Sequence, residues 1–250
     1  LHFHNTAEVF FILSGKWRFF WGINGDAGEV ILQKGDLINI PTRVFRGFEN
    51  VGTDYAMIMA ILGGDDSGGG VEWAPHVLET AKSHGLTLSE SGVLYDTKKG
   101  QILPVDEQPM AQLSEQQLAQ ISETPVHQIV PDYVARYWDM MALARDEPCP
   151  VIGETSLIKD KPGFEVELLT RGSITCQAYV NPQHEVLMVV CGHWRLTWGN
   201  NEVVLNPGDT CWIPPNLSHG LEVCVSGEAS LYRISGTDDK AGFTWLRDKK

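Results

Sequence analysis

Three residues near the start of the chain have the types and the spacing to hold a metal ion: His2, His4 and Glu8, in the stretch His2-Phe3-His4-Asn5-Thr6-Ala7-Glu8. On an extended strand, positions two apart share a face, so all three side chains point to the same side. Two imidazoles and a carboxylate can occupy one face of an octahedral ion and leave positions open for substrate and dioxygen, the arrangement used by non-haem Fe(II) oxygenases. The competing reading is a pair of histidines near a chain end that hold nothing, or only adventitious metal. Elsewhere His76, His84 and His127 have no partner at ligand spacing. No glycine-rich phosphate loop, GxSxG elbow or paired-cysteine zinc signature is present.

The elements that must position these residues occur twice. Glu8-Val9, Gly15, Trp17-Arg18 and Trp21-Gly22 recur at one constant offset as Glu185-Val186, Gly192, Trp194-Arg195 and Trp198-Gly199. After a shift of the offset, Glu29-Val30, Leu32, Gly35-Asp36, Ile40-Pro41 and Gly47 recur as Glu202-Val203, Leu205, Gly208-Asp209, Ile213-Pro214 and Gly220. The shift falls at Asn24-Gly25, a hairpin signal matched by the tighter Gly199-Asn200-Asn201. Both copies read as short strands rich in Val, Ile, Phe and Trp, punctuated by Gly and Pro, the pattern of a sandwich or barrel. Between them, residues 74 to 84, 113 to 121 and 131 to 145 carry helical spacing, with Pro131 placed as a first-turn residue of the last. Trp73, Trp138 and the pair Met140 and Met141 read as packing residues of this connector.

The pattern His2-x-His4-x-x-x-Glu8, Gly15, Gly35-Asp36, Pro41 and Gly47 resembles the two motifs of the cupin superfamily, and Glu185, Gly192, Gly208-Asp209, Pro214-Pro215 and His219 resemble them again. The resemblance implies an all-β chain of two jelly-roll barrels (double-stranded β-helices) with a helical connector, divided as 1–72, 73–150 and 151–250. It also implies a divalent ion inside the first barrel, held by His2, His4 and Glu8, with Fe(II) expected first and Mn, Ni or Zn as alternatives. The chain opens straight into a strand, so the first barrel is expected to lack opening strands supplied from upstream. The family's last histidine is matched by His219 in the second copy but by Arg46 in the first. A guanidinium cannot ligate a metal, so Arg46 is expected to point away or to grip a substrate carboxylate with its fork. In the second copy Tyr179 and Asn181 replace the two motif histidines, leaving Glu185 and His219 as weak metal candidates, and that barrel is expected to be metal-free. His184 falls on the opposite strand face, His193 faces solvent, and the matched Arg18 and Arg195 read as a repeated ion pair.

The chain has 250 residues, 43% of them hydrophobic, enough for two modest cores. A net charge of -13, from 32 acidic and 19 basic residues, argues against nucleic-acid and anionic-membrane partners. No apolar run is long enough to span a bilayer and no secretory signal is visible. Five cysteines without CxxC spacing read as free thiols of a cytoplasmic protein. Homo-oligomerisation is expected, because barrels of this kind expose strand edges. The functional expectation is a metal-dependent dioxygenase of a small oxygenated or aromatic carboxylate, with Arg46 orienting the acid. The alternatives are a metal-assisted isomerase or lyase of a sugar or keto acid, and a binding bicupin without turnover.

Overall fold

The computed structural model describes residues 1–63, 71–121, 124–159, 163–174 and 177–237. The first copy folds as β1 (His2–His4), β2 (Glu8–Ser14), β3 (Lys16–Trp21), β4 (Gly28–Gln33), β5 (Leu37–Ile40), β6 (Arg46–Asn50), β7 (Met57–Leu62) and β8 (Val71–Trp73). These are runs of aromatic and β-branched residues cut by turns. One such turn is at Gly35, whose φ of 86° lies in the left-handed region open to glycine at little cost. The strands form a sheet in the order β4-β3-β6-β1-β8, facing one that contains β5-β2-β7.

The connector comprises α1 (Pro75–Ser83), β9 (Leu86–Leu88), β10 (Leu94–Asp96), α2 (Glu115–Leu118), α3 (Val126–Tyr133), β11 (Val134–Ala135) and α4 (Tyr137–Leu143). It departs from the sequence expectation in three ways. The stretch 131–145 is two helices and a strand: Val134 and Ala135 pair with Ile38 and Leu37, so β11 extends the sheet to β11-β5-β2-β7. A vacant sheet edge offers backbone partners that outweigh local helical spacing. Pro131 consequently lies inside α3 and not in a first turn. Trp138 is 69% exposed, so it is no packing residue, whereas Met140 is fully buried. No helix among the described residues is long and apolar enough to cross a membrane.

The second copy continues as β12 (Cys149–Ile152), β13 (Phe164–Thr170), β14 (Glu185–Cys191), β15 (Trp194–Trp198), β16 (Asn201–Leu205), β17 (Thr210–Ile213), β18 (Gly220–Val223) and β19 (Ser230–Gly236). Its sheets run β12-β13-β19-β14-β17 and β16-β15-β18. The register repeats that of the first copy: Glu8 lies opposite Ile40 and Leu62, and Glu185 opposite Ile213 and Ser235.

Alternation along β2 and β14 builds three cores. Phe10 and Ile12 point into the first barrel with Phe19 and Trp21, and Leu187 and Val189 into the second with Trp194 and Leu196. Their neighbours Val9, Phe11, Met188 and Val190 point the other way, into a shared core between the barrels that also holds Met140, Leu168 and Ile234. Period-two alternation therefore supplies both the barrel interiors and the layer that joins them. Asp36 fixes the connector to this layer: its carboxylate accepts from Tyr137 N at 2.9 Å and from Arg136 Nη1 at 3.0 Å. The Tyr232 hydroxyl, from the second barrel, donates to Gly35 O at 2.6 Å. The described cysteines Cys149, Cys191, Cys211 and Cys224 are free, and Cys176 lies outside the described residues.

Candidate metal centre

Glu8 shares the inner face of β2 with Phe10 and Ile12, which aims its carboxylate into the first barrel. β1 crosses beside it, and His2 pairs directly with Arg46 on β6. The metal-ligating atoms of His2, His4 and Glu8 all lie within 4.8 Å of one another, the only such group among the described residues. His4 Nε2 stands 3.4 Å from Glu8 Oε2, and the two imidazole rings meet edge-on at 4.9 Å. His4 and Glu8 are buried and His2 is partly so. Burial, with Arg46 and His4 adding to it, pulls the His2 pKa down to about 4, so its ring is neutral near pH 7 and keeps a lone pair for a cation.

Donor type and facing, with His2 neutral, thus suit a divalent ion. Three ligand atoms on one face of an octahedral ion, each at about 2.1 Å, are about 3.0 Å apart, so a trio spread over up to 4.8 Å draws together by side-chain adjustment when it holds an ion.

Arg46 is fully buried beside this trio. Its Nε donates to Glu8 Oε2 at 3.2 Å and its Nη1 to Val44 O at 3.1 Å. Burial draws its pKa down from the ordinary arginine value while Glu8 pushes it back up. Nη2 is buried with no hydrogen-bond partner. Two of the five N–H donors of Arg46 are thus engaged within the protein, and Nη2 has its donors left over.

The second barrel holds the matched positions in the matched geometry. Tyr179 bridges to His219 as His2 does to Arg46. Here both oxygens of the carboxylate are already engaged by the protein. Glu185 Oε1 accepts from the Tyr179 hydroxyl at 2.7 Å and lies 3.1 Å from His219 Nε2, while Oε2 accepts from Asn181 Nδ2 at 3.0 Å. Burial acts to raise the Glu185 pKa, but the bonds from His219, Asn181 and Tyr179 outweigh it and hold it below the usual carboxylate range. Burial likewise acts to lower His219, and the bonds to Glu185 and to Leu217 O carry it upward. Both side chains of the pair are completely buried. His184 lies outside this network, stacked on the exposed Trp212 at 5.7 Å, and His193 is exposed and bonded to Asn206.

Sequence reading passed over two residues of the second interior. Arg233 binds Glu167 through Nε at 2.9 Å and lies 5.5 Å from the Tyr179 ring. The signal was available, since Glu167 and Arg233 are register partners on adjacent strands at positions that alternate inward.

A cupin-domain family profile matches residues 1–62 and 165–235, which covers both barrels. Among curated protein sequences none matches the chain. Similar solved structures include oxalate decarboxylase from Bacillus subtilis at pH 4.6, at 16% identity and a TM-score of 0.54 over 95% of this chain and 64% of that one. An arginine-to-alanine variant of the same enzyme aligns at 17% identity with a TM-score of 0.52, over 96% of this chain and 66% of that one. A third, concerned with the Mn(II) centres of that decarboxylase, aligns at 17% identity with a TM-score of 0.53, over 96% and 66%. The chain spans just under two thirds of the length of these structures, and at such identity the likeness is one of fold. With the same strand register in two barrels and a family match that covers both, this chain belongs to the cupin family and carries two copies of its barrel.

Proposed function

We propose that the first barrel is the centre of a metal-dependent enzyme, an Fe(II) dioxygenase acting on a small carboxylate. One observation carries the reading: Arg46 stands at the fourth motif position, so the protein offers three ligand groups, His2, His4 and Glu8, on one inner face. Two imidazoles and one carboxylate with open positions is the donor set of non-haem Fe(II) oxygenases. When bound, the ion would supply Lewis acidity and the capacity to react with dioxygen. The remaining work falls to side chains of this chain. His2 enters the site already neutral. Arg46 presents a charged donor to an acid group of the substrate. Phe10, packed on Phe19 at 5.1 Å and on Phe48 at 5.3 Å, forms an apolar wall on the Glu8 face that keeps water from the reacting groups.

A second reading uses the same ligands with Mn(II) for an oxygen-independent lyase or decarboxylase reaction, and is favoured by the fold likeness to structures of a Mn(II)-containing oxalate decarboxylase. One experiment separates the readings: anaerobic reconstitution of untagged protein, elemental analysis, and oxygen uptake against a panel of small aromatic and aliphatic acids. We expect near one equivalent of metal and substrate-dependent oxygen uptake. Both should be lost in His4→Ala, with turnover down by more than about 100-fold, since losing even a group that supports a ligand costs 10- to 100-fold. Acid consumption without oxygen uptake would select the second reading. Absence of metal in every preparation would overturn both.

A further inference from the structure

We infer that the first barrel takes up its metal and a small carboxylate together, each raising the affinity for the other, because Arg46 makes the centre too positive for the ion alone. This rests on the reading of His2, His4 and Glu8 as the ligand set. Before an ion enters, the buried formal charges are paired: the Glu8 carboxylate carries one negative charge and the Arg46 guanidinium bonded to it one positive. A dication on Glu8 adds two positive charges. Its distance from Arg46 Nε is bounded by the 3.2 Å between Nε and Glu8 Oε2 plus one coordination bond of about 2.1 Å. Repulsion at such range, between a fully buried guanidinium and an ion on a buried carboxylate, is weakly screened. The ion also draws on the carboxylate that now neutralises the guanidinium.

An anion answers both demands. Arg46 Nη2 is buried, charged and unpartnered, an expensive state for a donor, and it marks where one carboxylate oxygen would bind. The loop between His4 and Glu8 adds two more buried polar atoms without partners, Asn5 Nδ2 and Thr6 Oγ1. The matched centre of the second barrel contributes no atom to this set of unpartnered groups, because Tyr179, Asn181 and His219 complete it from within. Nη2 is the one nitrogen of Arg46 that makes no hydrogen bond, so it is where an oxygen of a compact acid would bind, with the acid's other donor atoms left for the ion. Coupling of two ligands is reciprocal and typically amounts to about 5- to 150-fold in affinity.

The test titrates the full chain with Mn(II), followed by electron paramagnetic resonance, in sodium formate and in sodium chloride at equal ionic strength. Formate is chosen because it binds free Mn(II) weakly. For the wild type we expect Mn(II) affinity to rise at least about fivefold in formate. Arg46→Gln should bind Mn(II) more tightly than the wild type in chloride and should show no formate effect. Equal Mn(II) affinity of the wild type in the two salts would overturn the inference while leaving the metal centre standing, as would a formate effect that survives in Arg46→Gln. Arg46→His, which completes a four-ligand set, guards against the deeper failure. If neither it nor the wild type binds Mn(II) in either salt while both keep native circular dichroism, the ligand set itself is wrong, and the inference falls with it.

Discussion

Glu8 and Glu185 occupy the same register on the same inner face of two copies of one barrel, yet they are satisfied in opposite ways. In the first barrel the carboxylate shares Oε2 between His4 and a guanidinium that still has a donor to spare. In the second, a phenol, an amide and an imidazole close round both oxygens. The difference teaches that a buried carboxylate in this architecture needs about three donors or a cation. Copy two draws them from the chain, whereas copy one places two imidazoles, His2 and His4, where copy two has a phenol and an amide, a set suited to a cation from outside. Restoring or removing single donors should move one barrel toward the behaviour of the other.

The largest effect is expected at the closed centre. His219→Leu strips the imidazole from a fully buried carboxylate, and removing one partner of a buried pair costs about 3–5 kcal/mol. Urea unfolding followed by fluorescence would measure it. A loss below about 1 kcal/mol would mean that Tyr179 and Asn181 suffice to hold Glu185 and that the imidazole is incidental. Next in size is the conversion of one copy into the other. The double substitution Tyr179→His and Asn181→His places two imidazoles beside Glu185 and His219, where the family's full ligand set would stand. The variant should hold one more equivalent of divalent metal than the wild type. Metal at 100 times its Kd should stabilise that barrel by about 2.7 kcal/mol. An unchanged stoichiometry in folded protein would show that Arg233, close to Tyr179, blocks a cation there.

Smaller still, and falling in different pH windows in the two barrels, is the response to acid. His2 has a folded pKa of about 4 against 6.5 unfolded, so the unfolded chain takes up the proton first. The first barrel therefore loses stability as pH falls from 6.5 toward 4, and His2→Ala should flatten that slope. In the second barrel Glu185 is held below its unfolded value of 4.5, and its contribution is lost only as pH falls under that value. His219 is held above 6.5, so its contribution is complete below 6.5 and disappears as pH rises through its folded pKa. The stability gap between wild type and His219→Gln should accordingly be widest between about pH 4.5 and 6.5 and narrow on either side. A gap that grows steadily toward alkaline pH would contradict the ion pair.

How much of this is legible in the sequence follows from the range of each interaction. The duplication, the strands and the facing of His2, His4 and Glu8 rest on period-two alternation and glycine turns, which are local, and the structure places those three side chains together. The break of the stretch 131–145 at Val134 is not local. The spacing of Tyr133, Tyr137, Met140 and Met141 is helical on both sides of it, and only the unfilled edge of β5 explains why two residues turn to strand. Trp138 is apolar and sits beside buried Tyr137, yet it points outward, because a helix of seven residues buries one face only. At the site, sequence shows that Arg46 replaces a ligand. Which of its nitrogens remain open depends on the Val44 carbonyl and on Glu8, a contact across 38 positions of sequence. For the second barrel, sequence shows ligands lost and does not show that a phenol and an amide engage the carboxylate oxygens.

The smallest effect is expected where the barrels agree. Arg18 pairs with Glu29 and Glu49 on the outer face of β3, and Arg195 with Glu202 and Glu222 on the outer face of β15. The partners correspond copy to copy, and the glutamates are 39% to 66% exposed, so water and salt screen both networks. Arg195→Ala should cost no more than about 1 kcal/mol, the usual ceiling for an exposed pair, and less in high salt. It should leave Mn(II) and formate binding unchanged, because strand alternation puts Arg195 on the face opposite Trp194 and Leu196, which line the second interior. A shift in metal or anion affinity in Arg195→Ala would mean that the outer charges reach the inner sites through the sheet. The contrast between the barrels would then have to be attributed to the whole field of the protein, and no longer to the four residues that line each centre.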